Sequence, residues 1–258
     1  MKLGFVGTGA IVEAFVVGMF EKHAFDGDVV ISRRSKSRST FLAKKFEQVA
    51  VCDDNQSVVD DSDWVFLGVL PKQAEAVLDG LKFRPDQQLF SMVAGVSLSR
   101  LTELTGLAAV HRIIPMPPIE FGVGPIVITP PNREFATLCK QMGTPIELEN
   151  EDQFSTLSAS SAMMASFFEL VASHARWMEG YGISKSVAAD YASSLSRALA
   201  EMTCRVDHEG LQEMAEECLT IGGLNEQVLN ESKRDDWFEQ MQMRLDRIAD
   251  RLGLKQPA

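Results

Sequence analysis

The sequence predicts an α/β protein in which a doubly wound sheet is followed by an all-helical domain. As far as residue 150, short apolar runs alternate with amphipathic segments, a pattern typical of strands separated by helices. A glycine-rich turn follows the first of these runs. From residue 151 to residue 258 the strand pattern stops, and long segments with helical periodicity replace it. We therefore predict two domains, 1–150 and 151–258.

The first domain contains eight apolar runs that are short enough for strands of a buried sheet. They are Leu3–Val6, Asp28–Ser32, Gln48–Cys52, Ser62–Val69, Gln88–Ala94, Ala108–Ile114, Gly124–Thr129 and Pro145–Leu148. The helices or turns predicted between them are a helix after Gly9, Lys36–Phe46, Gln56–Asp60, Pro71–Leu81, a helix from the cap Ser97 to Leu104, and Arg133–Met142 with the cap Asn132. Because strand–helix–strand crossovers are right-handed and parallel, ligands are expected beyond the carboxyl ends of these strands.

The second domain is predicted to consist of helices with broad apolar faces. They are Asp152–Gly180 with a bend near Ser158–Ser161, a helix from the cap Ser184 to Val206, Leu211–Cys218, Asn225–Ser232 and Asp235–Leu252. Gly222 and Gly223 interrupt the helical pattern. Such wide apolar faces on a small domain predict a homodimer through these helices, the alternative being that the faces pack on one another and on the sheet.

Composition excludes several classes of function. The net charge of −11, from 25 basic and 36 acidic residues, argues against a general nucleic-acid-binding protein, which needs a basic face. Cys52, Cys139, Cys204 and Cys218 form no CxxC pair and have no histidine at ligand spacing, so we expect no metal site and reduced thiols in a cytoplasmic protein. No apolar run reaches the ~18 residues of a membrane span, and the first apolar stretch is broken by glycines, unlike a signal peptide.

The segment from Met1 to Phe20 predicts a dinucleotide-binding turn of the Rossmann type. Gly7 allows a sharp turn after the first strand, and Gly9 allows a pyrophosphate to approach bare backbone. The unpaired N–H groups at the start of the next helix, near Ala10 and Ile11, favour an anion. The third small residue of the usual fingerprint is replaced by a valine at position 12.

The end of the second predicted strand indicates which dinucleotide is bound. An acidic residue at this position hydrogen-bonds the ribose of NAD, but here the sequence is Ser32, Arg33 and Arg34. A guanidinium binds a phosphate with two parallel hydrogen bonds, so these residues favour the 2′-phosphate of NADPH. The alternative is a solvated basic turn. Further predicted cofactor contacts, at the ends of the fourth and fifth strands, are Val69, Leu70, Pro71, Ala94 and Gly95.

Six segments stand out in order along the chain. They are LGFVGTGAIVEAFVVGM, ISRRS, WVFLGVLPKQAEAVL, SMVAGVSLSRL, HRIIPMPPIEFGVGPIVI and TIGGLNEQVL. Together they resemble the pyrroline-5-carboxylate reductase family along nearly the whole chain. The resemblance implies an NADP-binding Rossmann domain followed by a helical dimerisation domain. It also implies hydride transfer from NADPH to a small cyclic imine, with pyrroline-5-carboxylate converted to proline.

The chain departs from the family pattern where the substrate is handled. Leu70 stands at the family's lysine, Met116 at its asparagine, and Ile221 at the proline before its glycine pair. Asn225 stands at the second threonine of its "GGtT" turn, and residues 158–163 replace its "SGSGPA" turn. By this resemblance, Asn225, Ser160 and Ser161 are the catalytic candidates. The substrate-binding candidates are Glu120, Ser158, Gly222 and Gly223.

Each of these side chains also has an alternative, purely structural interpretation. The hydroxyls of Ser158, Ser160 and Ser161 suit a substrate carboxylate, but serines inside a helix also bond back to their own turn. Asn225 suits a hydrogen bond to substrate, or a helix cap after Gly223. Reduction of a C=N bond needs few protein groups, because the cofactor supplies the hydride and the protein orients it.

Glu120 suits an iminium or amine, or is a solvated acid in a loop.

Two other functions remain open at this point. A hydroxyacid or aldehyde dehydrogenase on the same scaffold would use a lysine of the second domain, and Lys185 is the candidate. A non-catalytic NADP-binding relic would explain the changes at Leu70, Met116 and Asn225.

Overall fold

The computed structural model describes residues 1–254, apart from the side chains of His208 and Gln212. It divides into two compact units, Met1–Ser158 and a second unit that begins at Ala159. The division falls inside a helix rather than in the turn near residue 150.

The first unit is built on one eight-stranded sheet with the strand order 3-2-1-4-5-6-7-8. The strands are β1 Leu3–Val6, β2 Val29–Ser32, β3 Val49–Cys52, β4 Trp64–Leu67, β5 Gln88–Ser91, β6 Ala109–Pro115, β7 Pro125–Thr129 and β8 Thr144–Glu147. The predicted strands and the predicted fold class are therefore confirmed. The order reverses between β1 and β4, which is where doubly wound sheets bind ligands.

Six helices connect these strands. They are α1 Ala10–Glu21, α2 Lys36–Lys45, α3 Asn55–Asp60, α4 Pro71–Asp79, α5 Leu98–Thr105 and α6 Arg133–Cys139. Both side-chain caps predicted in the first domain are confirmed. The Ser97 hydroxyl accepts a hydrogen bond from the Arg100 N–H at 3.3 Å, and the Asn132 carbonyl oxygen accepts one from the Phe135 N–H at 2.9 Å.

The expectation of parallel pairing throughout is wrong at one edge of the sheet. Strands β1 to β6 are parallel, but β7 runs antiparallel to β6, and β8 is parallel to β7. The connection between β6 and β7 contains only a 3₁₀ turn, Pro117–Phe121. A parallel crossover needs a dozen or more residues, so this short connection can only return the chain in the opposite direction.

Both faces of the sheet are buried because helices cover each of them. Trp64 and Phe66 on β4 belong to one hydrophobic cluster, whereas Val65 and Leu67 belong to the other. The first cluster contains a run of stacked aromatic rings, with centroids 5.0 Å apart for Phe66 and Phe90. Burial on both faces explains why the strands are continuous apolar runs rather than alternating ones.

Six helices follow the sheet. They are α7 Glu151–Ser160, α8 Met164–Gly180, α9 Lys185–Thr203, α10 His208–Glu217, α11 Leu224–Arg234 and α12 Trp237–Arg251. The long helix predicted over 152–180, with a bend near Ser158–Ser161, is divided there into α7 and α8 by a 3₁₀ turn, Ser161–Met163. Ser184 precedes α9 as predicted, but its side chain caps no backbone N–H.

The helices of the second unit leave much apolar surface uncovered. Ala188 and Ala192 on α9 are the buried hydrophobic residues of α8 to α12 among the described side chains. Phe168 is 60% exposed and Leu224 is 82% exposed. In the described part of the chain, no helix combines the length and the apolar character needed to cross a bilayer.

Candidate functional site

The turn after β1 has a shape that requires glycine at position 7. Gly7 has a φ of 93°, and a Cβ atom there would lie 2.7 Å from the Gly68 carbonyl oxygen. The Gly7 N–H donates to the Ser32 hydroxyl at 2.9 Å, and the Thr8 hydroxyl donates to the Ser32 carbonyl at 2.7 Å. Ser32 is buried, so it fixes the turn from β2, and its direct contact with a cofactor stays a prediction.

The helix that follows begins without a side-chain cap. Gly9 is the N-cap of α1, with φ −84° and ψ −176°, an extended conformation that any residue can adopt. A Cβ atom at Gly9 would find its nearest protein atom, the Gly68 carbonyl oxygen, at 3.9 Å. The fold therefore does not require glycine here, but a ligand approaching the first N–H groups of α1 does. This geometry fits the pyrophosphate of a dinucleotide.

Gly68, on the facing strand, compensates for the missing third small residue of the fingerprint. Val12 is fully buried, and its Cγ2 methyl lies where a Cβ atom on Gly68 would stand. The usual fingerprint lets helix and strand approach through a small residue on the helix. Here the small residue is on the strand side, immediately after β4. Close packing of α1 on the sheet is thus kept with valine at position 12.

A cleft of about 440 Å³, which we call the glycine-turn cleft, opens beside this turn. Among the predicted cofactor residues, those lining it are Gly7, Gly9, Ala10, Ile11, Arg34, Val69 and Leu70. Lining residues that the sequence analysis missed are Thr8, Ser35, Gly68, Gln73 and Met92. Of these, Gly68 could have been identified from the sequence, because it is a glycine that directly follows an apolar strand.

The two predicted arginines have different surroundings. Arg34 lines the glycine-turn cleft and has no ion-pair partner among the described residues. Arg33 is not part of that lining, and its guanidinium forms an ion pair with Asp53. The structure therefore presents one unneutralised guanidinium to a ligand in this cleft.

Three other predicted cofactor residues lie at strand ends but do not line the cleft. Pro71 is the first residue of α4, after the N-cap Leu70. Ala94 and Gly95 are exposed after β5, where Gly95 has a φ of 78° and a Cβ atom added to it would have no protein neighbour within 4 Å. Their contact with a cofactor stays a prediction.

Glu120 lies against the C-terminal half of α1 and not against the glycine turn. A Cβ atom at Gly18 would stand 2.6 Å from the Ile119 carbonyl oxygen and 3.4 Å from the Glu120 Cα. Glu120 belongs to the 3₁₀ turn between β6 and β7. Its role in binding substrate stays a prediction.

The predicted serines lie around the break between α7 and α8. Ser158 is half-buried and Ser160 is exposed, and both belong to the last turn of α7. Ser161 is half-buried and begins the 3₁₀ turn. The break at Ser161 interrupts the regular helical hydrogen bonds, which is common where a helix end serves a ligand or a hinge. The functional roles of the three hydroxyls stay predictions.

The glycine pair forms a tight entry to α11. Gly222 has a φ of 73°, and its N–H donates to a Glu226 carboxylate oxygen at 2.7 Å. Gly223 is the N-cap of α11, so the alternative of a cap at Asn225 is wrong. The Asn225 side-chain amide instead donates to the Cys218 carbonyl at 3.2 Å, and no described residue bonds its oxygen.

An ion pair between a buried arginine and a half-buried glutamate, which the sequence analysis missed, connects the sheet to α7. Arg112, on β6, is 6% exposed and donates to a Glu151 carboxylate oxygen at 2.8 Å. The same oxygen accepts the Leu98 N–H at 2.8 Å, and the Arg112 guanidinium lies 4.7 Å from the centre of the Phe154 ring. These contacts fix the starts of α5 and α7 relative to β6. Nothing in the local sequence pattern pairs residues so far apart.

Within the described residues, no group of three or more His, Cys, Asp or Glu side chains is placed to hold a metal ion.

Comparison with protein families and curated sequences covers about half of the chain or less in most cases. A family model described as NADP oxidoreductase coenzyme F420-dependent matches residues 2–95. The pyrroline-5-carboxylate reductase of Synechocystis sp. is 30% identical over 126 residues, which are 48% of this chain and 47% of that protein. The chain thus spans about half the length of the curated relatives it matches.

Solved structures extend the likeness of fold to almost the whole chain. The pyrroline-5-carboxylate reductase of Streptococcus pyogenes has a TM-score of 0.84 at 23% identity, over 98% of each chain. The Plasmodium falciparum pyrroline carboxylate reductase, a structure with NADP bound, has a TM-score of 0.83 at 17% identity, over 98% of this chain and 97% of that one. The resemblance predicted from the six segments is confirmed in sequence over about half of the chain and in fold over nearly all of it.

Proposed function

We propose that this chain is an NADPH-dependent oxidoreductase that reduces a small cyclic imine, with conversion of pyrroline-5-carboxylate to proline as its reaction. The observation that carries the proposal is the glycine-turn cleft, with its uncapped helix and single unneutralised arginine, in a fold shared with pyrroline-5-carboxylate reductases. The sequence likeness of about half of the chain to curated enzymes of that name supports the same reaction.

The cleft favours NADPH over NADH for electrostatic reasons. The uncapped N–H groups at the start of α1 carry partial positive charge and suit the pyrophosphate. Arg34 supplies a full positive charge near the end of β2. The residues Ser32 to Arg34 include no acidic side chain of the kind that binds the ribose of NAD. Because a 2′-phosphate is a dianion and a ribose hydroxyl is neutral, this charge discriminates between the two cofactors.

When bound, NADPH supplies the hydride, so the protein has to hold the substrate and manage the proton on nitrogen. We infer that Asn225 accepts a hydrogen bond from the protonated imine rather than donating a proton, since an amide is a poor acid. Its anchored Nδ2 leaves the side-chain oxygen available for that contact. The hydroxyls of Ser160 and Ser161 are the proposed donors to the substrate carboxylate, whereas the N–H groups of Gly222 and Gly223 already donate to Glu226 and to the Thr220 carbonyl.

We also propose that the second unit forms a homodimer. A groove of about 510 Å³ between α8 and α9, which we call the α8–α9 groove, is lined mainly by apolar side chains, Phe167, Phe168, Val171 and Ala192 among them. Contiguous apolar surface of this kind marks an interface in a soluble protein. A cytoplasmic location agrees with the four cysteines, all of which are free thiols.

Mass measurement in solution tests the dimer. Light scattering should give about twice the 28.5 kDa of the chain. Phe168→Glu should shift the mass toward the monomer, because it places a charge in the α8–α9 groove. Phe41→Glu is the matched control, since Phe41 is 45% exposed on α2 in the other unit. A monomeric wild type would contradict the proposal.

Oxidation of NADPH with pyrroline-5-carboxylate tests the reaction, run beside a six-membered cyclic imine and a hydroxyacid in the reverse direction. Turnover of pyrroline-5-carboxylate supports the proposal. Turnover of the six-membered imine alone would keep imine reduction but change the substrate. Oxidation of the hydroxyacid that is lost in Lys185→Ala would favour the dehydrogenase, although Lys185 is exposed at the start of α9. NADPH binding without any turnover would favour the relic.

A further inference from the structure

The ion pair between Arg33 and Asp53 lies at the same edge of the sheet as the glycine-turn cleft. Strands β2 and β3 are parallel, and Ser32 and Cys52 are their last paired residues. Arg33 and Asp53 are the next residues on the two strands, so the register itself brings their side chains together. Both side chains are largely exposed, 62% for Arg33 and 78% for Asp53. The pair is therefore on the surface and open to competition.

Two of the three arginines in residues 33–38 are neutralised by carboxylates. Arg33 pairs with Asp53, and Arg38 pairs with Glu13 at 2.9 Å. Arg34 has no carboxylate partner among the residues that the structure describes, and it lines the cleft. A run of basic residues that favours a 2′-phosphate thus presents only part of its charge to the cleft.

We propose that Asp53 is a specificity-determining residue that limits the preference for NADPH by holding Arg33 away from the 2′-phosphate. The proposal rests on the proposed use of NADPH. Asp53 acts through Arg33 and is in this sense a positioning residue. A phosphate dianion and a carboxylate compete for the same guanidinium, and the exposed pair is weak enough to be exchanged.

Removal of the Asp53 charge has two consequences for a 2′-phosphate. Arg33 becomes free to act as a second partner beside Arg34, and one negative charge leaves the edge of the sheet at which the cleft opens. Both changes favour a dianion, and neither acts on the neutral 2′-hydroxyl of NADH. The effect must therefore appear as a difference between the two cofactors.

Direct titration of NADPH and NADH into the purified full chain tests this role. Asp53→Asn should lower the Kd of NADPH by about fivefold and leave that of NADH within about twofold, with a smaller difference at high salt. Asp86→Asn is the matched control, because Asp86 is an equally exposed carboxylate paired with Arg84 at 3.6 Å. It makes the same change in net charge and should alter neither Kd.

The pairwise role of Arg33 is tested in a double-mutant cycle. In an Arg33→Ala background, Asp53→Asn should tighten NADPH less than in the wild type, because only the loss of one negative charge remains. The proposal is overturned if Asp53→Asn leaves NADPH binding unchanged or weakens it, or if the gain is as large without Arg33 as with it. Weaker NADH binding would also overturn it, because Asp53 would then hold the ribose hydroxyl. These titrations need no turnover, so they are independent of whether pyrroline-5-carboxylate is the substrate.

Discussion

Two alanine variants of the same turn should have different effects. Gly9→Ala should weaken NADPH binding with little effect on stability, whereas Gly7→Ala should destabilise the fold. Gly9 has an extended backbone, and its Cβ would meet no protein atom closer than 3.9 Å. Alanine is a poorer N-cap than glycine, which destabilises the fold, but it also lowers the entropy of the unfolded chain, which stabilises the fold. Because these effects oppose each other, Gly9→Ala should change the free energy of unfolding by less than about 1 kcal/mol. Its methyl group would stand where the pyrophosphate approaches α1. Loss of one charge-assisted hydrogen bond, about 1.5–3 kcal/mol, raises the Kd of NADPH by at least about tenfold.

Gly7→Ala should instead destabilise the fold. A residue at φ 93° costs about 1–2 kcal/mol when it carries a Cβ, and the Gly68 carbonyl oxygen at 2.7 Å adds to that cost. Urea unfolding and NADPH titration of the same two preparations measure both effects. Wild-type NADPH affinity in Gly9→Ala would refute the placement of the pyrophosphate at α1. Equal destabilisation of both variants would refute the interpretation of the turn.

Three further predictions concern charge. Arg34→Ala should raise the Kd of NADPH about tenfold or more while leaving that of NADH nearly unchanged, as measured by titration; equal weakening of both cofactors would contradict the 2′-phosphate assignment. Glu151→Gln should lower the free energy of unfolding by about 2–3 kcal/mol in urea, because it leaves the buried Arg112 guanidinium without its counter-charge, whereas Glu75→Gln, at an exposed pair, should have little effect. Burial lowers the pKa of His111, against the opposing hydrogen bond to the Pro130 carbonyl, so the unfolded chain binds this proton more readily. Stability should therefore fall as the pH drops through about 6.5, and His111→Asn should flatten that dependence in unfolding curves at pH values on either side; a steeper dependence in the variant would contradict it.

Local pattern was sufficient for the strands of the sheet and for the glycine turn. A buried strand such as Trp64–Leu67 is apolar at every position because both faces of the sheet are covered, and this was visible in the sequence. Gly7 was identifiable because only glycine adopts its conformation without strain. The caps at Ser97 and Asn132 were identifiable because each bonds an N–H three residues away.

Pairings between distant residues were not visible in the sequence. Arg112 and Glu151 are far apart along the chain, and each alone is an ordinary charged residue. The direction of β7 depended on the length of a connection whose short 3₁₀ turn has no clear pattern. The space left by Gly68 for Val12 required knowledge that α1 crosses the end of β4.

The sequence by itself determined the order of strands and helices, the glycine turn, and the basic character of the segment after β2, because each depends on residues adjacent in the chain. Only the tertiary structure decided that Arg34 lines the cleft while Arg33 is held by Asp53. The reason is that the register of β2 on β3 places a carboxylate beside the first arginine and not the second. The charge of each residue follows from the sequence, whereas the residue that neutralises it depends on the packing of the sheet.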